Sequence, residues 1–223
     1  MRLSPDDMVL WRFGAFTLNG TIVFTWLIMA LLSVVSWLIT RNLTDDVRIS
    51  RWQHVLETIV ITIHQQLREV IRHEAAGILP FLGTFFLYIG VSNVLSVVPG
   101  FQAPTGSLST TAALAICVLA AVPAFGIRQV GVVTYFGNYL KPTVFMLPFN
   151  IMGEFSRTLA LAVRLFGNVM SGTMIGGILL IIAPFIFPVI MQILGLLTGL
   201  VQAYIFTILA AVYIGAGMET QKK

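Results

Sequence analysis

Arg164 stands alone among apolar residues in "LALAVRLFGN", residues 159–168. No carboxylate lies within one helical turn of it. Read as a helix at 100° per residue, the surrounding segment gathers Asn150, Glu154, Arg157, Arg164, Asn168 and Ser171 into an arc of roughly 100°. Glu154 and Arg157 are three residues apart and able to neutralise each other. Arg164 lies about two turns further on and keeps its charge. A guanidinium at bilayer depth costs roughly 3 kcal/mol on insertion scales and over 10 in simulations of a lone helix. Such a group faces protein or water and pairs with something. Arg157 already contests Glu154, so the expected partner is a carboxylate on another subunit. At an effective dielectric of about 20, an ion pair at 4 Å is worth about 4 kcal/mol. Arginine suits this role because it stays protonated when buried, whereas lysine titrates.

A second polar stripe lies toward the C-terminus. Thr198, Gln202 and Tyr213 share a face with Gly195, and Gly199 lies close by. Gly195, Gly199 and Ala203, spaced by four, let another helix approach closely. A glutamine in the middle of a lipid-phase segment needs a partner. Asn168 or Arg164 can supply it if the two helices form a hairpin about Pro184–Pro188. Blander readings stand beside these. Arg164 as a snorkelling lipid anchor is disfavoured by its distance from any segment end. Gln202 as a plain interhelical hydrogen bond remains an open alternative. Gly172, Gly176 and Gly177 read as close-packing residues.

Other chemistry finds little footing. His54, His64 and His73 are spaced by ten and nine residues, which makes no i, i+4 metal pair. Neither a Walker-type nor a dinucleotide glycine motif occurs, so no cofactor and no catalytic site are read in this chain. Cys117 is the only cysteine and cannot form an internal disulfide. The basic residues flank apolar segments instead of clustering with aromatics, which argues against nucleic acid despite a sequence pI near 9.6.

The elements that position these residues follow from hydropathy. Of 223 residues, 57% are hydrophobic and only 10% charged, where a soluble domain carries about a quarter. Apolar runs of spanning length recur, so the chain reads as a single all-α polytopic membrane domain, residues 1–223. The first span is expected at 18–40, with Asn19 or Thr21 as its cap and Trp26 and Trp37 toward its ends. No signal or transit peptide precedes it, which favours a bacterial plasma (inner) membrane. Residues 51–74 are too polar to span and read as an amphipathic helix on the cytoplasmic face. Spans at 77–98 and 108–127 form a central hairpin around "VVPGFQAPTGSLST". Two long segments follow, at 149–182 and 185–217. Each is about 50 Å long as a helix, too long for an upright crossing of a 30 Å core, so both must tilt strongly. Arg41, Arg48, Arg51, Arg128, Lys222 and Lys223 put the N-terminus outside and the C-terminus in the cytoplasm.

At this point a resemblance becomes specific. "EFSRTLALAVRLFGNVMSG", followed by "LVQAYIFTILAAVYI", resembles subunit a of the F-type ATP synthases. "LPFLGTFFLYIGVSNVLSVVPGFQAPTGSLSTTAALAI" is similar to that family's central hairpin, and the amphipathic segment also matches. The resemblance implies a stator beside a rotating ring of small membrane subunits, each with an ion-binding carboxylate, and with peripheral-stalk subunits as further partners. Arg164 matches the family's essential arginine, which attracts the ionised ring carboxylate and separates two offset half-channels. Asn168 and Gln202 match polar positions near it, and Glu154 and Arg157 would lie toward the cytoplasmic path. Ser171, Thr173, Thr198, Tyr213, Ser107 and Ser109 complete the expected ion pathway.

The sequence departs from the common proton-driven pattern at three places. Many relatives carry Glu where this chain has Thr173, and periodicity puts Thr173 opposite Arg164, toward another helix. Many carry His or Glu where this chain has Gly195. The external loop reads "PTGS", with Ser107 and then Ser109, where relatives often read "PTAD" followed by Asn. Hydroxyls, amides and water at these positions suit either a proton or a hydrated sodium ion. Three other readings remain. An independent ion channel or secondary transporter would show inverted repeats or matched broken helices, and neither is evident. A purely structural scaffold predicts that Arg164 is replaceable. A voltage sensor would need a ladder of arginines.

Overall fold

A computed structural model of the chain describes residues 9–13, 16–41, 58, 61–62, 64–66, 75–98, 100–132, 135, 146–182 and 187–219. Its body is five helices: α1 Gly20–Thr40, α2 Ala75–Leu95, α3 Leu108–Val130, α4 Met146–Ile182 and α5 Phe187–Glu219. All five are long and apolar enough to cross a membrane. The chain is an all-α polytopic membrane protein.

Helix ends differ from the hydropathy reading for local reasons. The α2 helix stops at Leu95, short of 98, because Ser96, Val97 and Val98 donate to the carbonyls three residues back and tighten the chain into a turn. The α3 helix runs on to Val130, past 127, and ends where Gly131 takes φ +85°. That left-handed backbone is available to glycine without a Cβ penalty. Arg128 therefore sits in the last turn of α3, where a cation complements the helix dipole. Asn19 holds the N-cap position of α1 without a side-chain cap bond, and Thr25 Oγ1 donates to the Thr21 carbonyl at 2.7 Å.

One element was not expected. Strands β1 (Val9–Phe13) and β2 (Phe16–Asn19) pair antiparallel, with an irregularity between Val9 and Trp11. Runs of Val, Leu, Trp, Phe and Thr on either side of a glycine are the sequence signal for such a hairpin. It leads directly into α1 and leaves the helical class of the membrane body unchanged.

The core draws on all five helices, with α1 contributing Ile28. Leu82, Phe85 and Ile89 of α2, Val118 of α3, Leu161 and Leu165 of α4, and Phe206 and Ile214 of α5 are all buried. Helix α5 packs against α2, α3 and α4, while α1 leans on α2 from outside. Phe85 and Phe206 bring α2 and α5 together with ring centroids 5.8 Å apart, and Phe24 meets Phe101 edge-on at 4.9 Å, tying α1 to the loop before α3.

Helices α4 and α5 have 37 and 33 residues, about 55 and 50 Å of helix at 1.5 Å per residue. Only strong obliquity fits such lengths to a bilayer. Just 6% of the apolar window of α4 is buried, against 39% for α2, so α4 presents most of its girth outward. Of the amphipathic stretch 51–74, residues 58, 61–62 and 64–66 have helical backbone. The rest of that stretch lies outside the described residues, as do most of the 129–142 connection, Pro184 and the terminal lysines.

Candidate functional site

The site is built by two antiparallel helices. Asn168 Nδ2 on α4 donates to the Thr198 carbonyl on α5 at 3.4 Å. Further along, the Arg157 guanidinium lies over the Tyr213 ring, 5.7 Å from its centroid, within reach of a cation–π attraction. As α4 runs back from 168 to 157, α5 runs forward from 198 to 213. Arg164 and Gln202 lie between these two ties, each one turn from the Asn168–Thr198 contact, and so occupy the same level of the pair.

Their surroundings are opposite. Arg164 is exposed and has no hydrogen-bond or ion-pair partner among the described residues. Leu161 and Leu165, packed in the core beside it, anchor that turn of α4. Gln202 is 6% exposed, and its Nε2 has no hydrogen-bond partner. The sequence suggested Asn168 or Arg164 as that partner. Asn168 Nδ2 instead donates to the Thr198 carbonyl, one turn away from Gln202, and Asn168 Oδ1 makes no bond to Gln202 Nε2. Arg164 carries only donors and cannot accept from Nε2.

The other expected residues divide between the hairpin and the α3 start. Glu154 is half-buried and accepts from Thr158 Oγ1 through its carbonyl at 2.9 Å. Ser171 Oγ donates to the Asn168 carbonyl at 3.1 Å, and Thr198 Oγ1 to the Leu194 carbonyl at 2.9 Å. Ser107 and Ser109 hydroxyls meet at 2.7 Å at the start of α3.

A cavity of about 480 Å³ opens between the ends of α2, α4 and α5 and the loop before α3. Asn93, Ser96, Gln102, Asn168, Thr173, Gln192 and Thr198 supply its polar wall. Asn168, Thr173 and Thr198 are thus brought together, whereas Arg164, Gln202, Ser171, Ser107 and Ser109 are not on the wall. Thr173 was expected against another helix; it is exposed on the cavity, its hydroxyl bonded to the Met170 carbonyl. Among the described residues the wall contains no Asp, Glu, His, Lys or Arg. Nor do they include a group of three His, Cys, Asp or Glu able to hold a metal.

Asn93 is the residue that sequence reasoning missed. It is buried, donates from Nδ2 to the Gly199 carbonyl at 2.9 Å, and accepts from Thr105 Oγ1 at 3.3 Å. A Cβ at Gly199 would stand 2.8 Å from Asn93 Cβ, whereas one at Gly195 would meet nothing within 4 Å. Of the glycines spaced by four, Gly199 serves close approach and Gly195 borders the cavity. The signal for Asn93 was available: a carboxamide inside a charge-free apolar run is the same anomaly that drew attention to Gln202.

The family model for the ATP synthase A chain matches residues 22–215. The chain belongs to this family. It is 57% identical over 222 residues to ATP synthase subunit a 2 of Acaryochloris marina, covering 100% of this chain and 95% of that one. It is 58% identical over 222 residues to ATP synthase subunit a of Albidiferax ferrireducens, with 100% and 96% covered. It is 58% identical over 223 residues to ATP synthase subunit a 1 of Chlorobaculum parvum, with 100% and 99% covered. The Arg164 block, the Gln202 block and the central hairpin, which carried the resemblance to subunit a, all fall inside the matched region.

Proposed function

We propose that this chain is the ion-translocating stator subunit of a rotary F-type ATP synthase, working against a ring of small membrane subunits and held by peripheral-stalk subunits. The observation that carries the reading is Arg164: a guanidinium at the middle of an outward-facing, oblique helix, without a partner among the described residues. A ring carboxylate passing this point meets a fixed positive charge. The ionised carboxylate is stabilised there, its bound ion is released, and the next carboxylate cannot exchange ions directly across the arginine.

The cavity at the α4–α5 turn end then serves as the outer half-path, with the N-terminus outside and the C-terminus cytoplasmic. The inner half-path runs toward Glu154, Arg157 and Tyr213. The transported ion is a proton or a sodium ion; the cavity wall of hydroxyls and carboxamides suits a water-filled path for either. The membrane is a bacterial plasma membrane.

The test is ATP-driven ion uptake into inverted vesicles holding the assembled complex, wild type against Arg164→Ala. Proton uptake is followed by dye quenching and sodium uptake by tracer in the same preparation. Loss of coupled uptake with assembly intact supports the reading, and the wild-type signal names the ion. A variant that pumps like wild type makes Arg164 a structural or lipid-facing residue and ends the proposal.

A further inference from the structure

The outward face of α5 is apolar around a phenol. Leu197, Leu200 and Val201 are exposed there, and Tyr204 stands beside them, 44% exposed. A hydroxyl among lipid-facing side chains needs a partner. It finds one far away in sequence: Tyr204 Oη donates to Gln66 Oε1 at 2.6 Å.

Gln66 belongs to the amphipathic stretch 51–74, to which the ion pathway assigns no task. The described residues of that stretch are helical, with Thr62 Oγ1 donating to the Thr58 carbonyl at 2.7 Å. Ile61, Thr62 and Gln65 are exposed, whereas Gln66 is half-buried. In the sequence, Gln66 follows Val55 by eleven residues and Ile59 by seven. Those spacings put it in line with two members of the apolar stripe of an amphipathic helix. A carboxamide there is costly against lipid and is satisfied against the Tyr204 hydroxyl.

The side of α5 that receives Gln66 decides what the contact does. Tyr213, whose ring lies under the Arg157 guanidinium, is nine residues from Tyr204 and about 180° round the helix. Thr198, whose carbonyl takes the Asn168 bond, is six residues away and about 120° round. Tyr204 thus points away from α4, and α5 is held by α4 on one side and by Gln66 on the other. The second hold acts at the level of Arg164, because Tyr204 is two residues, about 3 Å of helix rise, from Gln202. Helix α4 has little packing of its own, with 6% of its apolar window buried, so the placement of Arg164 follows that of α5.

We infer that the Tyr204–Gln66 hydrogen bond makes the amphipathic segment a brace for α5, holding Arg164 at a fixed distance from the passing ring carboxylate. Tyr204 and Gln66 are positioning residues of ion translocation, and neither touches the ion. Ion-pair attraction falls with separation, so an α5 that yields under the turning ring lets a carboxylate pass the arginine with its ion still bound. ATP is then consumed without transport. This inference rests on the stator reading.

Ion uptake per ATP hydrolysed, measured on the assembled complex in inverted vesicles, tests it. Tyr204→Phe removes the hydroxyl and keeps the ring, Gln66→Leu removes the acceptor at similar bulk, and Gln66→Glu keeps an acceptor oxygen. Loss of one hydrogen bond is expected to lower the ratio about two- to tenfold in Tyr204→Phe and in Gln66→Leu. The double variant should fall no further than either single one, because both remove the same bond, and Gln66→Glu should stay near wild type. A wild-type ratio in both single variants overturns the brace and leaves the stator reading standing. So do additive losses, and so does uptake that falls only in proportion to hydrolysis. The stator reading fails separately, in the Arg164→Ala experiment, and takes the brace with it. The contact itself is checked without activity. Gln66→Cys and Tyr204→Cys, in a Cys117→Ser background, are treated in the same complex with a flexible bifunctional thiol reagent. A bridge within one chain, seen in the intact mass, is expected; two singly modified thiols instead overturn the inference.

Discussion

Asn168 Nδ2 reaches the Thr198 carbonyl at 3.4 Å, and this contact sets the level of everything around it. One turn along each helix from that bond lie Arg164 and Gln202, the first exposed and the second buried. A permanent cation therefore faces outward where a neutral carboxamide faces inward.

Charge alone does not make Arg164 replaceable by lysine. The guanidinium presents a planar fork of donors that can meet both oxygens of a carboxylate, which the compact ammonium of lysine does not. Arg164→Lys is therefore expected to lose most of its ATP-driven uptake while the complex still assembles. Uptake into inverted vesicles, with the other subunits followed by blotting, checks this. Uptake equal to wild type would show that only the sign of the charge matters.

Gly199 and Gly195 should respond differently to the same methyl group. At Gly199 a Cβ meets Asn93 Cβ at 2.8 Å and its Cγ at 2.9 Å; at Gly195 it meets open space. Gly199→Ala must push α2 and α5 apart or break the Asn93 bond, an overpacking penalty of about 1–3 kcal/mol. Gly195→Ala adds a methyl to the cavity edge and gains slightly in helix propensity. Thermal denaturation of the detergent-solubilised complex should show a lowered Tm for Gly199→Ala alone.

Much of this arrangement was legible in the sequence. The polar stripe of α4 followed from helical periodicity, and the obliquity of α4 and α5 from length against bilayer thickness. Contacts between helices were not legible, because they depend on a register that no single-helix pattern contains. The spacing of Arg157 and Glu154 was legible, but the Tyr213 ring of another helix beside the Arg157 guanidinium was not. Thr173 was assigned to a helix contact and borders a cavity instead. Asn93 was passed over because attention followed charge, and its stretch has none. The β1–β2 hairpin went unread because the apolar run beside it dominated the hydropathy signal.

Asn93 holds two partners at once, and its loss should exceed that of one hydrogen bond. Asn93→Ala leaves the Gly199 carbonyl and the Thr105 hydroxyl without this partner, at about 1–3 kcal/mol for each buried group left unsatisfied. Asn93→Asp keeps an acceptor for Thr105 but removes the donor to Gly199. The expected order of complex stability is wild type, then Asn93→Asp at low pH, where the protonated acid can donate, then Asn93→Ala. Asn93→Ala as stable as wild type would mean that water replaces both bonds.

The contact between Arg157 and Tyr213 is a matter of the ring, not the hydroxyl. The guanidinium sits 5.7 Å from the ring centroid, and an attraction of about 0.5–1 kcal/mol is ordinary for such a pair. Tyr213→Phe should therefore be silent and Tyr213→Leu should not. A double-mutant cycle with Arg157→Ala, read as thermal stability, should give a coupling of that size for Leu and near zero difference for Phe.

The composition of the cavity wall makes a prediction about pH. Its described residues include no group that titrates near neutrality, so the wall itself contributes no pH dependence to ion access between about pH 5 and 8. Thr173→Glu places a carboxyl there. An exposed glutamate has a pKa of about 4.3. Below that pKa the side chain is neutral and the variant resembles wild type. Above it the carboxylate concentrates cations in the cavity. The ratio of variant to wild-type ion uptake should rise with pH through that titration and then level off. Taking the ratio at each pH cancels the titration of the ring carboxylate, which both share. A ratio independent of pH would show that ions do not pass the Thr173 position, and would remove this cavity from the path.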